Sequence, residues 1–250
     1  MDLTSYLLGK KASGGGGGGD LDWAAIGYSG TPQSVIEIYE KINNDYNYSK
    51  NIFDNWDASQ TDLKDKYKNN KNLVYMPLVD TSNAIKASSM FSGCTNLENV
   101  PLLDTSNMTN IQSMFATCNK LKTIPLFNTG KATNLGQMFD GCLQLTSVPL
   151  FDMKKAENTS QMFYNCQALK DVPVFNLASA TAMNNMFNGC YVLTDESLDN
   201  ILQMCIGATS YTGTKTLQTI GLRSSYHPAS KIQALPHYQA FINAGWTIGY

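Results

Sequence analysis

Met-Phe recurs at 90/91, 114/115, 138/139, 162/163 and 186/187, always 24 residues apart. Cys94, Cys118, Cys142, Cys166 and Cys190 keep the same step, as do Leu97, Leu121, Leu145, Leu169 and Leu193, and Pro77, Pro101, Pro125, Pro149 and Pro173. Positions locked in phase over this distance mean internal repeats, and a unit of this size buries its apolar face only by stacking on its neighbours. A degenerate copy comes first, with Leu63, Tyr67, Leu73, Met76 and Leu78 at matching phases. It has Asn70 where Cys is expected, and Lys64, Lys66, Lys68 and Lys71 make its outer side polar. A terminal repeat needs such a polar face to stay soluble.

Within a repeat, Leu97, Val100 and Leu102 end in the alternation of a strand with one buried face. Met108, Ile111, Met114, Phe115 and Cys118 follow at steps of three and four, the stripe of an amphipathic helix. The expected fold is an α/β solenoid, a leucine-rich-repeat arc of strand–helix repeats with a helical N-terminal cap and an α/β C-terminal cap. The two-residue period turns Leu102, Leu126, Leu150 and Val174 inward and Leu103, Phe127, Phe151 and Phe175 outward.

The ends differ from the middle. Residues 1–20 read as a short head and a linker, Gly14 to Gly19 having no side chains to order them. Residues 21–59 read as a helical cap, with Val35, Ile38, Tyr39 and Ile42 at helical spacing and then Ile52, Phe53 and Trp56. Repeats fill 60–193, and 194–250 is an oversized last repeat with its cap. There Thr194 is the expected N-cap of a helix through Leu198, Ile201, Leu202 and Cys205. Leu217, Ile220 and Leu222 resume the strand phase 48 residues after Leu169, Val172 and Val174. A helix over about 229–244 should end at Gly245, with WTIGY as the closing edge strand.

The pattern M-F-x-x-C-x-x-L-x-x-[VI]-P-x-[FL]-[DN]-T-S, covering about 60–193, resembles the BspA-like leucine-rich repeats of bacterial and bacteriophage proteins. The closing GWTIGY is similar to the C-terminal cap of that family. The resemblance implies a right-handed solenoid used for adhesion or recognition, without shared catalytic residues. The short head, glycine linker, helical cap and repeat together look like gut-bacteriophage or prophage proteins.

A net charge of -2 gives no electrostatic case for nucleic acid. No apolar run reaches the roughly 20 residues that cross a bilayer, and the N-terminus lacks the order of a secretory signal. The expected setting is therefore cytoplasmic synthesis, and the likeness to phage proteins implies a bacterial host and then a virion, with a bacterial cell surface as the alternative. Expected partners are a host-surface glycan or protein, or a virion protein bound through the N-terminal head. Neither an enzyme nor a cofactor is expected. The cysteines, one per repeat and without C-x-x-C spacing, read as small apolar core residues; a disulfide ladder or a metal site are the other readings.

DTS at 80–82 and 104–106 mimics a protease triplet, yet it repeats in register with Asn128, Asp152 and Asn176. A column of Asp and Asn suits turns closed by side-chain hydrogen bonds, with a cation ladder as the alternative. His227 and His237 have no nucleophile motif beside them. The candidate binding face is Leu103, Phe127, Phe151 and Phe175, an outward apolar row at sheet spacing. Tyr75, Asn99, Thr123, Ser147 and Asp171 are its polar neighbours.

Overall fold

In the Met-Phe segment, where the apolar spacing calls for a helix, the backbone alternates between two kinds of partner. The N–H groups of Ala87, Ser89, Phe91 and Gly93 donate to the carbonyls of Asn110, Gln112, Met114 and Ala116 in the next repeat. Those of Met90, Ser92 and Cys94 turn back three residues to Ala87, Ser89 and Phe91. This computed structural model describes residues 52, 56–223 and 225–249; they belong to the unit Asp45–Tyr250, and the unit Met1–Asn44 lies outside them.

The helix expected in each repeat is thus replaced by consecutive tight turns. Each turn is closed by a residue with positive φ: Asp65, Ser89, Ser113, Gln137, Gln161 and Asn185 form one column. Asn69, Gly93, Thr117, Gly141, Asn165 and Gly189 form another, four residues on. A right-handed α-helix does not admit such residues. The three-and-four spacing still predicts burial, because a four-residue turn step also returns side chains to one side. Ala87, Met90, Phe91, Cys94 and Leu97, with their equivalents in later repeats, form the core.

Repeat joins repeat through isolated parallel bridges. One column runs Asp62, Lys86, Asn110, Asn134, Asn158, Ala182; a second pairs Tyr75 with Asn99 and Ser147 with Asp171. We call one repeat a coil. Stacking in register lines identical side chains into ladders. Tyr67, Phe91, Phe115, Phe139, Phe163 and Phe187 form a spine of near-parallel rings 5.5 to 5.8 Å apart, and Trp56 continues it at 6.4 Å. Aromatic pairs at this offset add roughly 0.5–1.5 kcal/mol each beyond the area they bury.

Each of the five repeat cysteines donates its thiol to a carbonyl of the preceding coil: Cys94 to Tyr67 (3.1 Å), Cys118 to Phe91 (3.2 Å), Cys142 to Phe115 (3.2 Å), Cys166 to Phe139 (3.1 Å) and Cys190 to Phe163 (3.2 Å). All six cysteines are free and buried. Burial pushes the Cys94 thiol up to about 11 and Cys190 to about 12, so both are protonated donors at neutral pH. A small apolar residue with a weak donor fits this slot.

Helix α1, Asp195–Gly207, starts at the expected cap, the Thr194 side chain accepting from the Ser197 N–H. It closes the proline side of the last coil with side chains instead of a strand. The Ser197 hydroxyl donates to the Lys170 carbonyl and accepts from the Val172 N–H, and the Asn200 amide donates to the Val172 carbonyl. The segment expected to resume the strand phase instead closes the other side. The N–H groups of Asn185 and Phe187 donate to the carbonyls of Thr219 and Ile220, which stand where the next Met-Phe turn would be. Gly221 sits there at φ 92, and a Cβ on it would fall 2.4 Å from the Asn188 nitrogen.

Two short helices, α2 (Ala229–Gln233) and α3 (Tyr238–Asn243), replace the single helix expected over 229–244. Pro236 between them has no N–H to donate and restricts Leu235 before it. The closing segment, expected as an edge strand, makes one isolated parallel bridge, Thr247 to Thr216. Of the expected N-terminal helical cap, Val35 to Ile42 and Phe53 fall outside the described residues, as does the glycine linker.

Candidate functional surface

From Val100 to Leu103 the inward positions are three apart, not two. Val100 is buried, Pro101 half-buried, Leu102 exposed and Leu103 buried. A proline cannot donate to a ladder, and freed of pairing the chain leaves the pleat on which a two-residue period depends. This corrects the expected face by one residue. Leu103 is 2% exposed, and Phe127, Phe151 and Phe175 are each 1% exposed.

These rings form a second column of the aromatic core. Phe127 stacks on Phe115 at 5.9 Å, Phe151 on Phe139 at 6.0 Å and Phe175 on Phe163 at 6.0 Å, with Phe151 and Phe175 6.2 Å apart. The residues that face solvent are the ones expected inside. Leu78 is 75% exposed, Leu102 62%, Leu126 58%, Leu150 60% and Val174 39%. The polar neighbours lie as expected on the outer side: Asn99, Thr123 and Asp171 are exposed, and Tyr75 and Ser147 half-buried. Five branched apolar side chains therefore stand in one row in water, backed by a proline in each coil.

The opposite flank of the row is the Asp/Asn column. One side-chain oxygen of Asp80, Asp104, Asn128, Asp152 and Asn176 accepts from the backbone N–H two residues on, at 2.9 to 3.2 Å. The Ser82 backbone N–H holds the Asp80 carboxyl below its usual range, and the Ser106 hydroxyl does the same to Asp104. The Asp80 and Asp104 carboxylates are thus engaged in their turns and remain charged. Among the described residues no group of three potential ligands is placed to hold a metal ion.

Behind them lies a set of residues that the sequence reading passed over. Thr81, Thr105 and Thr129 are buried, and their hydroxyls donate to the carbonyls of Asp104, Asn128 and Asp152 in the next coil, at 2.8 to 2.9 Å. Met153 and Leu177 take the slot in later coils. The signal was present in the D-T and N-T pairs at 80/81, 104/105 and 128/129, three successive coils in phase.

The two histidines belong to the cap. His227 is buried with Nε2 2.9 Å from the Cys190 carbonyl, and since a carbonyl only accepts, that nitrogen carries the proton. His237 Nδ1 lies 2.6 Å from Asp199 Oδ2 on α1, and its backbone N–H donates to Asp199 Oδ1. Both contacts fasten the C-terminal segment to α1 or the last coil.

A family model described as "Mycoplasma protein of unknown function, DUF285" matches residues 33–144 and again 85–201. The two overlapping matches are what a model of a repeat gives on a longer run of the same repeat, and they fit the BspA-like resemblance. No curated protein and no solved structure matches the chain.

Proposed function

The chain belongs to the family described as Mycoplasma protein of unknown function, DUF285, and from that premise we propose that it is a non-enzymatic recognition module. Its stacked coils, in our reading a leucine-rich-repeat arc of the BspA type, present one face to a partner. The observation that carries this reading is the exposed row Leu78, Leu102, Leu126, Leu150 and Val174. Lone apolar residues on a surface need no explanation, but a contiguous row invites aggregation unless it is used. The acids beside it are occupied in turns and the thiols are buried, which speaks for contact over chemistry at this face.

In this proposal the chain is a bacteriophage virion protein, associated with a tail or fibre, that presents the row to a receptor on the host cell. The virion setting rests on the likeness of its head, linker and repeats to phage proteins. The family description names a bacterial genus, and that favours the second reading, a bacterial surface adhesin. Retention of the labelled full chain on bacterial cells tests the common core of both. Wild type should be retained, and the triple variant Leu102→Ser, Leu126→Ser, Leu150→Ser should wash off while melting at nearly the same temperature. Equal retention of the two would remove this face from the account.

A further inference from the structure

We infer that the exposed row is a track for one amphipathic α-helix of a protein partner, lying along the stack with its N-terminus toward Leu78 and its C-terminus toward Val174. This deepens the proposed recognition role and rests on it. Spacing, width and charge each contribute.

Spacing comes first. Neighbouring coils lie between the ~4.8 Å of a parallel bridge and the 5.5 to 5.8 Å that separates successive rings of the spine. One turn of an α-helix rises about 5.4 Å and brings its apolar stripe round once, so its side chains stay in step with the gaps between successive leucines. An extended chain presents side chains on one face only every ~6.6–6.8 Å. Against this row it drifts out of step by more than 1 Å per residue pair. Four steps of roughly 5 Å make a row of about 20 Å, the length of some 13 or 14 helical residues.

Width selects against a large globular partner. The row is one side chain wide, between buried or half-buried prolines on one side and the Asp/Asn column on the other. A standard interface takes about 800 Å² from each partner, and one file of apolar side chains suits the apolar face of a single helix laid along it.

Charge then sets the direction. Within four residues of Leu78 and Leu102 the charged residues are Asp80, Glu98 and Asp104, all acidic. Within four residues of Leu126, Leu150 and Val174 they are Lys122, Lys154 and Lys170 against Asp152 and Asp171, a balance of +1. Lys155 stands one residue further out on that half; Lys131 reaches back to the Leu102 coil, where its Nζ donates to Asn107 Oδ1 and its charge acts on Asp104, and that end remains net acidic. An α-helix is positive at its N-terminus and negative at its C-terminus. The acidic end therefore favours the helix N-terminus and basic residues in its first turns, and the lysine-bearing end favours its C-terminus.

The test uses a 14-residue helical peptide with Leu at positions i, i+4, i+7 and i+11, Lys in the first turns and Glu in the last. Fluorescence anisotropy with the full chain follows binding of this peptide, a second with Lys and Glu exchanged, and a third carrying a central proline. The first should bind, with both others at least about tenfold weaker. In the variant Asp80→Asn, Glu98→Gln, Asp104→Asn the preference between the two charge orders should disappear. Its turns survive, because Asn128 and Asn176 already fill that column. Equal binding of the proline peptide would replace the helix by an extended ligand, and equal binding of both charge orders would remove the direction. No binding of the first peptide, with cell retention still lost in the triple serine variant, would overturn the helix and leave the recognition face standing. Binding of the first peptide alone, with retention unchanged in the triple variant, would separate the track from cell attachment and overturn the recognition proposal.

Discussion

On the Met-Phe side of a coil every second backbone N–H reaches the next coil; on the proline side the pairing is broken. The turn side carries Ala87, Ser89, Phe91 and Gly93 to their partners without a gap, and the pattern returns from Ile111 and from Leu135. On the proline side Glu98 donates to Val74 and Lys170 to Thr146, yet between the Glu98 and Lys122 coils no bridge forms in that column. Hydrogen bonding on one side fixes the stack, and the other side is free to expose large apolar groups. The difference assigns stability to the turns and spine, and leaves the row Leu78 to Val174 open for the contact proposed above.

The sharpest break of this division is Phe139→Ala, which removes a ring stacked on Phe115, Phe151 and Phe163. Chemical denaturation should show a loss of about 3–5 kcal/mol, and a loss under about 1 kcal/mol would mean that the spine does not hold the stack. Next comes Gly189→Ala, still on the turn side. Its φ of 86 is left-handed, and a Cβ would fall 2.8 Å from the Asn165 Cα. The conformational cost alone is about 1–2 kcal/mol, with the backbone contact adding to it, and a neutral result would show that the last turn is not fixed as described.

A third prediction concerns the cap. Burial holds the His227 imidazole below its usual range, the nearby Lys231 acting in the same direction against the Cys190 carbonyl. The folded chain therefore refuses a proton that the unfolded chain accepts below about pH 6.5. Stability from this group is complete above that pH and falls as pH drops through it toward the lower folded value. The hydrogen-exchange protection factors of Leu217 to Leu222, corrected for the slower intrinsic exchange at lower pH, should fall between pH 7 and 5.5, by less in His227→Gln; an equal response in both would release His227 from the role. The smallest effect belongs to the proline side. Leu150→Ser should change stability by no more than about 0.5 kcal/mol, and a loss of several times that would show the row to be part of the core.

The step of 24 residues in Met90, Cys94 and Leu97 is also the step of the parallel bridges, so the existence of the stack could be read from the chain. Burial of the Met-Phe stripe could be read as well, but not its conformation, since tight turns and a helix share the spacing of Met108, Ile111, Met114 and Phe115. The cue was Gly93, Gly141 and Gly189, standing in mid-stripe where a helix is weakened by glycine. The outward face was misassigned by one residue for a reason internal to the motif. Pro101 and its equivalents remove the ladder that gives a strand its period, and Leu102 and Leu103 exchange sides. The Asp column was legible because turn chemistry is local; the Thr ladder behind it was not, because its acceptors lie 23 residues away.

The assignment of inside and outside is tested most directly by melting two triple variants side by side. Phe127→Ser, Phe151→Ser, Phe175→Ser removes three buried rings, and Leu102→Ser, Leu126→Ser, Leu150→Ser removes three exposed side chains. The account predicts that the phenylalanine variant loses its cooperative transition or melts tens of degrees lower, and that the leucine variant melts within a few degrees of wild type. A phenylalanine variant that melts like wild type, beside a leucine variant that does not fold, would contradict it.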